Sequence, residues 1–179
     1  MGRDKASLAV DGLTLLDHVV QRLSPVVDEV IVAGDTAVPP GYGRRVVVDE
    51  LPGQGPLAGM LAGFRAARTA HAWVVACDLP EVEPRLGDLL FDAVGRQDAA
   101  VPQVDGRAQG TCAVYRVELA PRIRNALEAG RGSILSLLAE SDVRSLDEKA
   151  LRQVDPTLRS FRNLNTPEDY ERWLRTREE

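Results

Sequence analysis

Short Val-rich runs alternate with helical patterns along this chain, and that alternation constrains the fold more than any other feature. The runs are residues 29–33 (EVIVA), Arg45–Val48 (RVVV), 72–77 (AWVVAC), Ala99–Val104 and Cys112–Arg116. They lack the polar/apolar alternation of a half-solvated strand, so they read as buried parallel strands covered on both faces. Between them, Leu15, Leu16, Val19, Val20 and Leu23 fall on one helical face. Helical patterns follow over 57–68 (with Pro56 at the first turn), 86–94 and 119–129. A last helix is expected from Thr166-Pro167, with Thr166 as N-cap and Glu168 and Asp169 in the first turn. The order implies an α/β, Rossmann-like doubly wound, mostly parallel sheet with helices on both faces. A length of 179 residues suits one domain over residues 1–179. Aromatics are only 4% of the chain, so the core must be built mainly from Val, Leu and Ala.

Charge and cysteine content narrow the function classes. The net charge is −5 and no basic block occurs, which argues against a nucleic-acid surface. Cys77 and Cys112 stand far apart, without metal-ligand spacing, as expected in a reducing compartment. No stretch approaches 18 apolar residues, and the N-terminus has no apolar signal region. The expectation is a cytoplasmic protein with no membrane or nucleic-acid partner.

In doubly wound sheets, ligands sit beyond the carboxyl ends of the strands. That rule selects Asp49 after RVVV, Asp78 after AWVVAC, and the loop after EVIVA. Asp78, in Cys77-Asp78-Leu79-Pro80, is a suitable lone carboxylate for Mg²⁺, which shares its coordination with phosphates and water. A turn-forming Asp that caps the next helix reads equally well. Lys5 follows Met1-Gly2-Arg3-Asp4, the back half of a phosphate-binding loop, although a solvated surface lysine is the commoner role. Gly53-Gln54-Gly55-Pro56-Leu57-Ala58-Gly59 opens a small-residue helix, either to admit a ligand to backbone amides or only to allow tight helix–sheet packing. It lacks the Gly-Lys-Ser/Thr ending of a P-loop. Asn163 and Asn165, two residues apart, aim at one ligand or form an Asn-rich turn before the cap. The polar stretch 105–110 (DGRAQG) is a natural rim for a second substrate. His18 and His71 need no special role, and Trp73 and Trp173 are expected in the core.

Taken in order, MGRDK, EVIVA, VVVDE, PGQGPLAG, ACDLP and NLNTPED resemble the molybdenum cofactor guanylyltransferase family, within the nucleotide-diphospho-sugar transferase-like fold group. The resemblance covers nearly the whole chain. It implies transfer of GMP from GTP to molybdopterin or the molybdenum cofactor, giving a guanine dinucleotide cofactor and pyrophosphate. By the same resemblance Lys5 and Asp78 are catalytic, Asp78 holds Mg²⁺, and Asp49, Gly55, Gly59, Asn163 and Asn165 join Lys5 and Asp78 in binding nucleotide and pterin. Arg107 and Arg131 are candidates for the pterin phosphate, and molybdoenzyme maturation factors are candidate protein partners. Two departures stand out. The family's opening apolar strand and Leu-Ala-Gly-Gly turn have no counterpart in these 179 residues, and Ala33 stands where relatives often carry a nucleotide-contacting Asn. Alternatives are a molybdenum cofactor cytidylyltransferase, a phospholactate guanylyltransferase, or a truncated, non-catalytic cofactor-binding module.

Overall fold

Along strand β8 (Cys112–Arg116) successive side chains enter two different cores, which shows that both faces of the sheet are covered. Ala113 and Tyr115 join Leu57, Leu61, Phe64, Ile123, Leu127 and Leu137 on one face. Cys112 and Val114 join Val19, Leu23, Leu86, Leu90 and Val94 on the other. This is the period-two geometry of a strand sandwiched between helix layers. The computed structural model describes residues 8–10, 12–34, 45–49, 51 and 53–177.

The elements run β1 (Ala9–Val10), β2 (Leu13–Thr14), α1 (Leu15–Leu23), β3 (Ile31–Gly34), β4 (Arg45–Val48), α2 (Pro56–Ala66), β5 (His71–Val75), α3 (Arg85–Val94), β6 (Ala99–Val104), β7 (Arg107–Ala108), β8, α4 (Ala120–Glu128), α5 (Ile134–Ala139), β9 (Val143–Leu146), α6 (Glu148–Leu151) and α7 (Pro167–Arg177). Among the described residues β3 and β4 pair parallel as a separate two-stranded sheet. The larger sheet holds β5, β8, β6 and β7 in that order, with β9 parallel to β6.

The α/β class with helices on both faces stands. Among the longer strands β8 departs from the parallel expectation, running antiparallel to both β5 and β6, and the two-residue strands pair antiparallel as well, β1 with β2 and β7 with β6. Seven residues, 105–111, link β6 to β8 and include the short β7 hairpin strand. A parallel return needs a crossover of about a dozen residues or more, so this link can only reverse the chain. The other differences are at edges. The 57–68 helix is Pro56–Ala66, and 72–77 becomes His71–Val75. Trp173 is buried as expected. Trp73 is half-buried and lies across α3 at Gly87, where a Cβ would come within 2.7 Å of the indole ring. No side chain larger than hydrogen fits there without displacing that ring.

Two helices start with the same device. In α1 the Thr14 hydroxyl accepts the Asp17 amide, and the Asp17 carboxylate accepts the Thr14 amide. In α7 Thr166 and Asp169 repeat the reciprocal pair at 3.1 and 3.0 Å. Each box satisfies two N–H groups that the first turn cannot pair internally.

Candidate active site

Asp78 ends the segment that leaves β5, where Cys77 and Asp78 form a turn. Its backbone and its side chain are both held by the segment that precedes α7. The Leu164 amide donates to the Asp78 carbonyl at 2.9 Å. Asn163 Nδ2 donates to Asp78 Oδ1 at 3.3 Å. Two motifs 85 residues apart in sequence, CDLP and NLNTPED, therefore meet at one carboxylate. Leu164 is itself anchored in a small core with Val10, Leu15 and Trp173. Asn165 lies two residues beyond Asn163, immediately before the Thr166 cap, and its backbone reaches the capping carboxylate of Asp169.

The loop after Asp78 is fastened from two sides. From α1, the Nε2–H of His18 donates to the Pro80 carbonyl at 3.2 Å and Arg22 Nε donates to the Val82 carbonyl at 2.5 Å. From the other side, the Ser160 hydroxyl accepts the Glu83 amide at 2.8 Å, and Arg159 faces Glu81 at 3.8 Å. An open cleft of about 530 Å³ lies where these parts converge, walled by α1, residues 80–83, residues 154–159 and Trp173. Asp155, only 6% exposed, accepts the Ser160 amide at 2.8 Å. Burial raises the Asp155 pKa, but the Ser160 amide and hydroxyl, the Arg159 amide and the Thr157 hydroxyl together outweigh it, and the carboxyl titrates below its usual range. Leu158 between them adopts a left-handed φ of 54°, a conformation that costs a non-glycine residue about 1 kcal/mol.

Asp49 occupies a different place. It is 6% exposed, its amide donates to the Gly34 carbonyl at 3.0 Å, and its Oδ1 accepts the Leu51 amide at 2.8 Å. It lines a small space against α2 with Ala58, Leu61, Ala62 and Arg65. Gly55 caps α2 with φ 76° and ψ −167°, a backbone that strongly favours glycine. A Cβ built on Gly55 would lie 4.0 Å from the Gly132 carbonyl, and one on Gly132 would lie 3.1 Å from the Gln54 carbonyl, so the turn before α2 packs on the turn at Gly132. A Cβ built on Gly59 would lie 3.8 Å from the Ala33 carbonyl, where α2 packs on β3. Arg131, a candidate for the pterin phosphate, is held by Glu140 at 2.6 Å. Arg107 is exposed on β7, at the 105–110 rim. Lys5 lies outside the described residues.

Sequence reasoning passed over Asp155 and Ser160. A buried Asp-Ser pair five residues apart in a polar coil carries no pattern, and His18 looked like an ordinary mid-helix residue. Among the described residues no cluster of three or more His, Cys, Asp or Glu side chains could hold a metal. A divalent ion at Asp78 would thus depend on donors from a ligand. Asp78 offers a hard carboxylate oxygen at a strand's carboxyl end, and this donor set fits an ion bound chiefly through phosphates and water.

A doubly wound sheet with a carboxylate and a neighbouring amide at its carboxyl edge has the ligand-site layout of an α/β enzyme. Comparison with known proteins gives the family. The MobA-like NTP transferase domain matches residues 1–146, and the chain belongs to that family. A probable molybdenum cofactor guanylyltransferase of Methanosarcina mazei is 34% identical over 96% of this chain and 82% of its own length. A molybdenum cofactor guanylyltransferase of Cereibacter sphaeroides is 38% identical over 96% and 86%. The crystal structure of molybdopterin-guanine dinucleotide biosynthesis protein A from Archaeoglobus fulgidus superposes with a TM-score of 0.83 at 25% identity, covering 99% of this chain and 92% of that one. The 2-C-methyl-D-erythritol 4-phosphate cytidylyltransferase of Thermus thermophilus shares the fold, with a TM-score of 0.72 at 20% identity. The protein is a nucleotidyltransferase.

Proposed function

We propose that this protein transfers GMP from GTP to the terminal phosphate of molybdopterin or the molybdenum cofactor, releasing pyrophosphate, in the cytoplasm. The observation that carries the reading is the contact between Asn163 and Asp78, which brings two of the family's motifs to one point at the carboxyl edge of β5. The names of relatives 34% and 38% identical over nearly the whole chain support the substrate assignment.

In this reading an acceptor phosphate oxygen attacks the α-phosphorus of GTP in line. The new P–O bond forms as the bond to the β-phosphate oxygen breaks, and pyrophosphate carries the electron pair away. Such chemistry rests on positioning and charge neutralisation. Asp78 would hold Mg²⁺, which supplies positive charge to the triphosphate when bound. Asn163 keeps the Asp78 carboxylate oriented, and Asn165 extends the polar edge toward the acceptor. Lys5 would neutralise phosphate charge. Asp49 would pair with the ring N–H and amino group of guanine through the oxygen not given to Leu51. The glycine turn ending at Gly55 would let phosphates approach the amides at the start of α2.

The test is pyrophosphate release from GTP or CTP with molybdopterin and Mg²⁺. GTP should be the preferred nucleotide, and a preference for CTP would reassign the base. Asp78→Asn keeps the shape but removes the charge, so turnover should drop about 100-fold or more with the melting temperature unchanged. Unfolding of that variant would make Asp78 structural and sink its assignment.

A further inference from the structure

We infer that Ser160 and Asp155 are positioning residues for nucleotidyl transfer: a buried relay that sets the placement of Asp78 against Asn163. The inference rests on the reading of Asp78 as the metal-holding residue. Segment 162–165, which brings Asn163 and Asn165 to the site, has no regular secondary structure. Its place is therefore fixed by its attachments. Downstream these are the Leu164 amide on the Asp78 carbonyl and the burial of the Leu164 side chain. Upstream the polar anchors are Ser160, which is 0% exposed, and the longer Arg159–Glu81 ion pair at 3.8 Å.

Ser160 faces both ways. Its amide donates to Asp155 Oδ2 at 2.8 Å. The hydroxyl oxygen accepts the Glu83 amide at 2.8 Å. Glu83 closes the loop that starts at Asp78, and Ser160 stands three residues before Asn163. One hydroxyl thus ties the two segments whose relative position decides whether Asn163 reaches Asp78. Asp155 holds the Ser160 backbone, and through it the hydroxyl that receives the Glu83 amide. A hydrogen bond at a carboxylate oxygen is tolerant of small angular errors, but an in-line displacement is not. A shift of about an ångström in positioning groups can cost two orders of magnitude in rate.

The test uses the full chain and four variants. Ser160→Ala removes the relay, and Ser160→Thr keeps the hydroxyl. Ile123→Val disturbs the buried core on the opposite face of the sheet, where Ile123 is 0% exposed. Asp78→Asn reports on the underlying reading. Each is measured for pyrophosphate release and for Mn²⁺ affinity in the presence of GTP by electron paramagnetic resonance. Ser160→Ala should lower kcat about tenfold and weaken Mn²⁺ binding severalfold, with KM for GTP within about twofold. Ser160→Thr should restore both, and Ile123→Val should change neither even where its melting temperature falls as far. If Ser160→Ala melts earlier but keeps its kcat and Mn²⁺ affinity, or if Ile123→Val copies it, the relay is merely structural. Should Ser160→Ala fail to fold, Asp155→Asn carries the same expectations and the same overturning result. If Asp78→Asn loses turnover and Mn²⁺ affinity while the relay variants lose neither, only this inference falls. If Asp78→Asn loses neither, the reading of the site falls and the inference with it.

Discussion

Cys112 and Asp155 are both buried, yet their protons behave in opposite ways because only one of them is surrounded by donors. The Cys112 thiol lies in mid-sheet, and burial pushes its pKa up to about 12, against a weak opposing contact from the Trp73 indole. At pH 8 about one molecule in ten thousand carries that thiolate. A disulfide reagent such as Ellman's should therefore leave Cys112 unlabelled until the protein unfolds, while the part-exposed Cys77 reacts. Peptide mass mapping of the labelled protein checks this. Rapid native labelling of Cys112 would mean that the sheet opens there. For Asp155 the donors outweigh burial and the folded-state pKa lies below the usual value near 4. The sign follows from linkage. A depressed carboxylate contributes stability that is present above the unfolded-state pKa and is lost as pH falls through the folded-state pKa. Asp155→Asn should thus be less stable at pH 7 by about 2 kcal/mol, the scale of a charged hydrogen bond. Its stability should also fall less steeply with pH below about 4. Urea unfolding at several pH values reads both effects.

At the scale of elements, the caps connect helix stability to the site. Thr166 starts α7 and directly follows Asn165, so its capping box fixes where the asparagine segment ends. Thr166→Ala should cost about 1 kcal/mol, measured by chemical denaturation, while Thr166→Ser should cost little. This cap was legible in Thr166-Pro167-Glu168-Asp169, because the N-cap chemistry is local. So were the Val-rich strands; β6 and β8 are buried as their composition suggests, whereas Val48 on β4 is 56% exposed. The matching cap at Thr14 was not anticipated, since its partner Asp17 carries no Glu/Gln signature of the capping box. Strand direction was misread at β8 because the apolar run looks the same in either direction, and only the seven-residue link betrays it. Elements α5, β9 and α6 went unread because at four to six residues each is too short to show a period. At the site, Asp78 and the asparagines were visible from position and motif. Ser160 and Asp155 were not, because their role depends on a contact with Glu83 that spans 77 residues.

Three apolar clusters form among the described residues, and the proposed chemistry lies where two of them adjoin. One cluster lies on each face of the larger sheet, and the small one around Leu164 and Trp173 carries the asparagine segment. The loop after Asp78 belongs to the second cluster through Leu79 and Val82, and the segment that meets it belongs to the third. A ligand bound across Asp78 and Asn163 would therefore hold two packing units together, and its binding free energy would add to that of the fold. A ligand with no affinity for the unfolded chain stabilises by about 2.7 kcal/mol at one hundred times its Kd. For a domain of this size each kcal/mol moves the melting temperature by about 2–4 °C. GTP with Mg²⁺ at that concentration should therefore raise the melting temperature by roughly 5–10 °C. GTP without a divalent ion should give a smaller shift, because the triphosphate would face the Asp78 carboxylate with its charge unscreened. Asp78→Asn should show the converse pattern, with a similar shift whether or not the metal is present. Differential scanning calorimetry over a nucleotide and metal grid separates these outcomes. A shift equal with and without the ion in the unaltered protein would place the nucleotide away from Asp78.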